Sequence, residues 1–125
     1  MKEYLCLRVP LRREMMTTVR LATGGVCSAA AMSYDGGEDC KVCVTESLLL
    51  LMRRGYSAAS VCFSAPEEGG GVRVCVTGSE GSCGQAASDE DEIALALLNA
   101  LAEDVTMDRD GGALKAIAFA FGQQA

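Results

Sequence analysis

The sequence lacks histidine altogether, and Cys40 and Cys43 form its single C-x-x-C. A four-ligand zinc site would therefore have to be assembled from scattered thiols. The C-x-x-C could be half of such a site or a redox pair. It falls in the middle of a predicted helix, however, whereas reactive pairs favour a helix N-terminus, where the dipole lowers the thiol pKa. We therefore expect both cysteines to be packing residues.

The seven cysteines are many for a chain of 125 residues, but their pattern does not predict a disulfide framework. Their number is odd, and they are scattered through apolar segments. Free cysteine behaves as a small core residue. We therefore expect free, packed thiols.

Positive charge and long apolar runs are also scarce. The chain has 11 Lys and Arg against 17 Asp and Glu, and its net charge of −6 argues against nucleic-acid binding and against a role at a membrane surface. The longest apolar run, residues 48–52, is too short to cross a bilayer. The residues after Met1 do not form the apolar region of a signal peptide. We expect a cytoplasmic protein.

The length suits one domain over residues 1–125. Hydrophobic periodicity and turn residues predict elements in the order β-α-α-β-β-α-β, over residues 3–9, 12–32, 35–54, 61–64, 72–77, 88–104 and 113–121. Three helices with apolar stripes need one shared surface. The sequence therefore predicts an α/β protein of the α+β two-layer type, with a mixed, mostly antiparallel sheet covered by three helices on one face.

Two of the predicted helices carry specific signals. For the second helix, Asp35 and Glu38 form a capping-box pattern, and its centre, residues 48–52, is apolar on every side, which indicates cover on more than one face. Residues 78–87 read as a glycine-rich loop, after which Ser88 can cap the third helix. The apolar positions expected to face inward on the third helix are Ile93, Leu97, Ala100 and Leu101.

Three segments resemble a known family. Residues 38–47 read EDCKVCVTES, residues 54–56 read RGY, and residues 97–105 read LLNALAEDV. They are similar to motifs of the RsbW/SpoIIAB anti-sigma factors, serine-protein kinases of the histidine-kinase-like (Bergerat-fold) ATPase superfamily. The similarity covers roughly residues 5–121 in the right element order. The resemblance implies the Bergerat fold, ATP and Mg²⁺ as cofactors, a sigma factor or STAS-domain antagonist as partner, and a homodimer.

The resemblance also identifies where the family's nucleotide site would lie. Glu46 matches the glutamate that acts on the attacked hydroxyl, but the magnesium-binding asparagine one turn later is Leu50. A hard cation requires oxygen ligands. The family's aspartate that hydrogen-bonds the adenine amino group corresponds to Ser79, and Gly81 corresponds to a glycine that the family also has.

The family's phosphate-binding positions are substituted as well. Glu92 and Ala94 stand where the family has glycines, in a helix start that carries four carboxylates, and these would repel a triphosphate. The family's threonine falls at Gly112 or Ala113. Arg20 matches an arginine that contacts sigma factor and antagonist in related anti-sigma factors.

These substitutions favour a regulatory protein that binds a partner and has a degraded ATP site, so that we expect neither a bound cofactor nor a metal. Glu46 would then be a vestigial catalytic residue with a structural role, which pairs with an arginine or faces solvent. One alternative is an ATP-dependent serine-protein kinase with weak ATP binding that uses Glu46. A third hypothesis is a thiol-based sensor that uses Cys40, Cys43 and other cysteines.

Overall fold

A computed structural model of the chain describes residues 2–66, 70–81 and 89–122. The strands are β1 (Lys2–Pro10), β2 (Tyr56–Ala65), β3 (Gly71–Gly81), β4 (Glu103–Asp110) and β5 (Ala113–Gly122). The helices are α1 (Met16–Ala29), preceded by a 3-10 turn at Arg13–Met15, α2 (Tyr34–Arg53) and α3 (Asp89–Leu101). Within these residues, no helix has the length and apolar character needed to span a membrane.

The five strands form one sheet in the order β1-β2-β3-β5-β4. Helix α2 packs on β2, β3 and β5, and both α1 and α3 pack on α2. This arrangement confirms the predicted α+β two-layer architecture with three helices. The prediction of a mixed sheet was wrong, because every neighbouring pair of strands is antiparallel.

Strand β4 is the element that the sequence did not predict. Its residues, EDVTMDRD, were assigned partly to the end of the third helix and partly to a loop. The segment is mostly charged and lies at the sheet edge, where both of its faces remain largely exposed. Val105 and Met107 do alternate with polar residues, but the alternation is short and five of the eight residues are charged, so the strand signal is weak.

The core lies between α2 and the inner face of the sheet. Alternate residues of the three central strands point into it; they include Val61, Phe63, Val74, Val76, Ile117 and Phe119, each at most 2% exposed. From α2, Leu48, Leu50 and Leu51 enter the same core, and Leu49 and Met52 are half-buried. The all-apolar centre of the second helix is thus covered on several sides, as predicted.

The predicted start of the second helix was wrong. Ser33 is the N-cap, because its side-chain oxygen accepts a hydrogen bond from the Gly36 amide at 3.0 Å, and the helix begins at Tyr34. The residue predicted to cap the helix, Asp35, lies in its first turn. Glu38 pairs instead with Lys41 at 2.7 Å.

The inward face of the third helix was also predicted wrongly. Ile93 is 61% exposed and Leu97 is 37% exposed, whereas Asp91, Ala94 and Leu98 are the buried positions. Ala100 is exposed and Leu101 is half-buried. The real stripe is shifted by one position along the helix because a buried ion pair at Asp91 fixes its rotation. The predicted cap, Ser88, lies outside the described residues.

The expectation of free thiols was wrong for one pair, since Cys6 and Cys62 form a disulfide. These residues are 56 positions apart in sequence but directly opposite each other in β1 and β2. The register of two distant strands cannot be read from cysteine spacing. Among the described residues, Cys27, Cys40 and Cys43 are free and buried, and Cys75 is free and exposed.

Candidate functional site

Helix α2 carries the first two residues that were predicted for a nucleotide site. Glu46 and Leu50 are separated by one helical turn and therefore lie on the same side of α2. Glu46 is half-buried, and it makes no ion pair with another described residue. Leu50 is 1% exposed and belongs to the apolar core. Leu50, which the resemblance predicts to be the magnesium-ligand position, therefore presents buried hydrocarbon and no oxygen ligand.

Ser79 and Gly81 lie within β3, so the part of the predicted loop from residue 78 to 81 is strand. Gly81 has φ +85°, and a Cβ there would lie 2.5 Å from the carbonyl oxygen of Gly55. A close approach of two backbones therefore requires glycine at position 81. Ser79 pairs with Ala58 of β2, and its Oγ is buried without a hydrogen-bond partner among the described residues.

The ring of Tyr56 covers the end of β3. A Cβ at Gly78 would lie 2.7 Å from Cδ2 of this ring, so the ring rests directly on the glycine backbone. The Tyr56 hydroxyl donates a hydrogen bond of 2.7 Å to the Leu114 carbonyl on β5. The aromatic side chain at the start of β2 thereby closes the space between the ends of β3 and β5.

Lys115 adds a positive charge to this cluster. Its Nζ donates a hydrogen bond of 2.7 Å to the Gly78 carbonyl and lies 5.5 Å from the centre of the Tyr56 ring. A cation at this distance from an aromatic centre is attracted by the ring quadrupole. The ends of β2, β3 and β5 are thus joined by side chains of the protein itself.

A buried ion pair joins the end of α2 to the start of α3. Asp91, 2% exposed, accepts hydrogen bonds of 3.0 Å from Nε of Arg53 and from Nε of Arg54, one on each carboxylate oxygen. Arg54 is itself 9% exposed. The carboxylate therefore has both oxygens satisfied and two positive charges beside it, as a buried charge requires.

The two predicted phosphate-binding positions, Glu92 and Ala94, lie in α3 next to this ion pair. Glu92 points to solvent, whereas Ala94 is fully buried on the inner side of the helix. With Asp89 and Glu90, Glu92 leaves three exposed carboxylates in the first turn of the helix. These charges complement the positive end of the helix dipole.

Two predicted site residues lie elsewhere on the molecule. Gly112 has φ +85° and, with Gly111 at φ +60°, forms the exposed two-residue turn between β4 and β5, a conformation that favours glycine at both positions. Arg20 is exposed on α1, beside Leu21, which is 73% exposed.

The C-x-x-C lies inside α2, as predicted, and both of its thiols are buried. Burial, followed by the negative charges of Asp39 and Glu46, raises the pKa of Cys43 to about 12. A hydrogen bond between Cys27 and Cys40 is the largest influence on both of these thiols: it raises the pKa of Cys40 and lowers that of Cys27. A thiol with a raised pKa is a poor nucleophile.

The sequence had indicated α2 and the RGY segment but not the contacts that these residues make. Arg54 was singled out only as part of the RGY segment, and Asp91 only as one of four carboxylates at a helix start. The contact of Arg53 and Arg54 with Asp91 depends on how α3 packs against α2, and α3 begins more than thirty residues after the arginines. Two arginines in tandem at a helix end are the one signal that could have suggested a buried acid nearby.

Comparison with known proteins gives partial matches to serine-protein kinases. The chain is 34% identical over 59 residues to a serine-protein kinase RsbW of Staphylococcus epidermidis, which covers 47% of this chain and 37% of the relative. It is 33% identical over 55 residues to the serine-protein kinase RsbW of Staphylococcus aureus strain Newman, which covers 44% of this chain and 35% of that relative. No family model matches the chain.

The chain thus matches little more than a third of the length of these curated relatives. The relatives nevertheless carry the name of the family whose motifs this sequence resembles. These partial matches support a relationship to the RsbW serine-protein kinases.

Proposed function

We propose that this chain is an anti-sigma-factor-like regulator that binds a partner protein and does not hold ATP in the manner of the kinases it resembles. The observation that carries the proposal is the Arg53–Asp91–Arg54 cluster. At the helix start where the family's backbone amides receive phosphates, this chain has a buried carboxylate that already occupies two arginines. A triphosphate placed there would meet that carboxylate and three exposed ones.

One further feature supports the absence of nucleotide. Leu50 places a buried apolar side chain at the position that the resemblance assigns to the magnesium ligand. The residues present therefore do not fit a magnesium-bound triphosphate, and we derive no catalytic step through one.

Calorimetric titration with ATP in the presence of Mg²⁺ tests this part of the proposal. We expect no saturable heat up to millimolar nucleotide, and the same result for Asp91→Asn, provided that this variant remains folded. Saturable binding that is lost on removal of Mg²⁺ would overturn the proposal.

The proposed partner is a sigma factor or a STAS-domain antagonist, bound on the α1 face. Arg20 and Leu21 are adjacent and exposed there, so that this face offers a cation beside an apolar side chain. Strand β1 lies at the sheet edge with one side unpaired within the sheet, and we propose a homodimer through β1 and α1. Edge strands are templates for pairing with another chain.

Binding can be measured with a sigma factor and a STAS-domain antagonist purified from the same organism. We expect Arg20→Ala to weaken complex formation at least tenfold, because the pairing charge is lost. The matched control is Arg109→Ala, which removes an equally exposed arginine from β4 at the opposite sheet edge. Equal binding by the two variants would contradict the assignment of the α1 face, and sedimentation of the wild type as a monomer would contradict the dimer.

The alternative function is that of an ATP-dependent serine-protein kinase that uses Glu46. The name of the relatives favours it, and so does Ser79, the predicted adenine-binding position, whose buried Oγ has no hydrogen-bond partner among the described residues. Incubation with labelled ATP and the STAS-domain protein distinguishes the two functions. Phosphoserine that appears with the wild type and disappears with Glu46→Gln would establish the kinase. We expect none with either protein.

A further inference from the structure

Three cysteines form a row across the strands β1, β2 and β3. Cys6 lies directly opposite Cys62, and Cys62 lies directly opposite Cys75. Directly opposite residues of a sheet project from the same face. The neighbours of Cys62 in β2, Val61 and Phe63, are fully buried under the helices, so the three sulfur atoms lie on the other face of the sheet.

The strand register places the central cysteine directly opposite both neighbours. It is bonded to Cys6. Opposite residues of antiparallel strands have Cα atoms about 4.5 to 5.5 Å apart, and disulfides span about 4.4 to 6.8 Å. Cys75 therefore stands where it can bond to Cys62 without a change of register.

Solvent reaches this row of sulfur atoms. Cys6 and Cys75 are exposed and Cys62 is half-buried. A surface cavity of about 290 Å³ is lined by Cys62 and Cys75 together with Glu3, Ser64 and Arg73, among others. By contrast, Cys27, Cys40 and Cys43 are buried in the helical layer. The exposed sulfur atoms form a separate cluster, which the nucleotide-site positions do not involve.

We propose that Cys6, Cys62 and Cys75 form an intramolecular thiol–disulfide exchange site. The thiolate of Cys75 attacks Sγ of Cys62, the Cys62–Cys75 bond forms, the Cys6–Cys62 bond breaks, and Cys6 leaves as a thiolate that takes up a proton. The proton lost by Cys75 balances the proton gained by Cys6. One disulfide and one thiol are present before and after, and no external oxidant is consumed.

The exchange changes which strands are covalently joined. With Cys6–Cys62 bonded, the edge strand β1 is tied to β2; with Cys62–Cys75 bonded, the link joins β2 to β3. Strand β1 is then held to the sheet by backbone hydrogen bonds and packing alone. The position of the disulfide thus controls how firmly the edge of the sheet is fixed, whether or not the chain binds a sigma factor.

The test is disulfide mapping of the folded full-length chain by mass spectrometry after acid quenching, alkylation and non-reducing digestion. A Cys83→Ser substitution in all proteins removes a thiol that lies outside the described residues. We expect two cross-linked peptide pairs, Cys6–Cys62 and Cys62–Cys75. A Cys6→Ser variant treated with oxidised glutathione should form Cys62–Cys75 alone, and a Cys75→Ser variant should retain Cys6–Cys62 alone.

The matched control moves the thiol by two residues, from position 75 to position 77, which is the next position on the same face of β3. Cys75→Ser combined with Thr77→Cys places it opposite Ser60 and diagonal to Cys62, about 7 to 8 Å away, beyond the reach of a disulfide. Its cross-link to Cys62 should be at least tenfold less abundant than that of Cys75. Equal abundance would reveal non-specific scrambling and overturn the proposal.

Failure to detect Cys62–Cys75 in the parent protein would overturn it as well, even if Cys6→Ser does not fold. Amide hydrogen exchange provides a second readout. The amides of β1 should exchange at least tenfold faster in oxidised Cys6→Ser than in Cys75→Ser, and equal rates would contradict the proposed effect on the edge strand.

Discussion

Arg54 and Asp91 join the end of α2 to the start of α3 across 37 residues of sequence, through a hydrogen bond of 3.0 Å between Nε and Oδ2. Both residues are buried, and Arg53 binds the second carboxylate oxygen at the same distance. The contact fixes the rotation of α3, so that Ala94 and Leu98 enter the core and Ile93 does not.

Asp91→Asn should lower the free energy of unfolding by about 3 to 5 kcal/mol, because removing one partner leaves buried charge uncompensated. Urea unfolding measures the change. Glu90→Gln is the control, because its carboxylate is exposed and lies 3.8 Å from Arg53. It should change stability by less than about 1 kcal/mol. Equal effects of the two substitutions would show that the Asp91 contact adds nothing beyond surface charge.

The close contact between Gly78 and the Tyr56 ring predicts a second loss of stability. A methyl group at position 78 would lie 2.7 Å from the ring, so the ring or the strand must move. Gly78→Ala should therefore destabilise the protein by about 1 to 3 kcal/mol. Gly25→Ala is the control: a Cβ there meets nothing within 4 Å, and replacing a helical glycine should stabilise α1 by about 0.5 to 1 kcal/mol. Thermal unfolding of the two variants should shift in opposite directions.

The parts of this fold that could be predicted from sequence are those whose signals are local. The apolar centre of α2 indicated burial on several sides, and Leu48, Leu50 and Leu51 are buried. The last predicted strand, residues 113–121, is also observed, as β5. In both cases the residues that determine the structure are close together in the chain.

The missed features depend on distant partners. Asp91 looked like any other acid in the first turn of α3, because its arginines lie 37 and 38 residues earlier. Cys6 and Cys62 could be paired only with the strand register known. Ile93 and Leu97 looked like a core stripe because periodicity does not reveal which face of a helix a buried ion pair will select. The nucleotide-site positions came from the resemblance, and their ligand chemistry stays a prediction.

The cysteines should differ sharply in reactivity with iodoacetamide in the native protein. The pKa of Cys43 is raised to about 12, chiefly by burial. Since the protonated form predominates below that pKa, only about one Cys43 thiol in ten thousand is ionised at pH 8, and the fraction rises about tenfold per pH unit up to pH 12. At pH 8, mass spectrometry should find Cys75, which is exposed, alkylated long before Cys43. Labelling of the two at similar rates would contradict the burial of α2.

Leu50 provides the last prediction, because it is the predicted magnesium-ligand position and at the same time a core residue. Leu50→Asn restores the family residue, but it replaces a side chain that is 1% exposed with an amide that the surrounding leucines cannot hydrogen-bond. We expect a loss of at least about 3 kcal/mol in unfolding free energy, from lost apolar burial and an unsatisfied polar group.

Ile93→Asn is the matched control, since the same exchange at a position that is 61% exposed should change stability by less than about 1 kcal/mol. If Leu50 instead lined an open nucleotide pocket, Leu50→Asn would be tolerated as well as Ile93→Asn and would gain Mg²⁺-dependent ATP binding. Urea unfolding and nucleotide titration of the two variants therefore distinguish the two cases. A core residue predicts a loss of stability without ATP binding, and a pocket residue predicts unchanged stability with ATP binding.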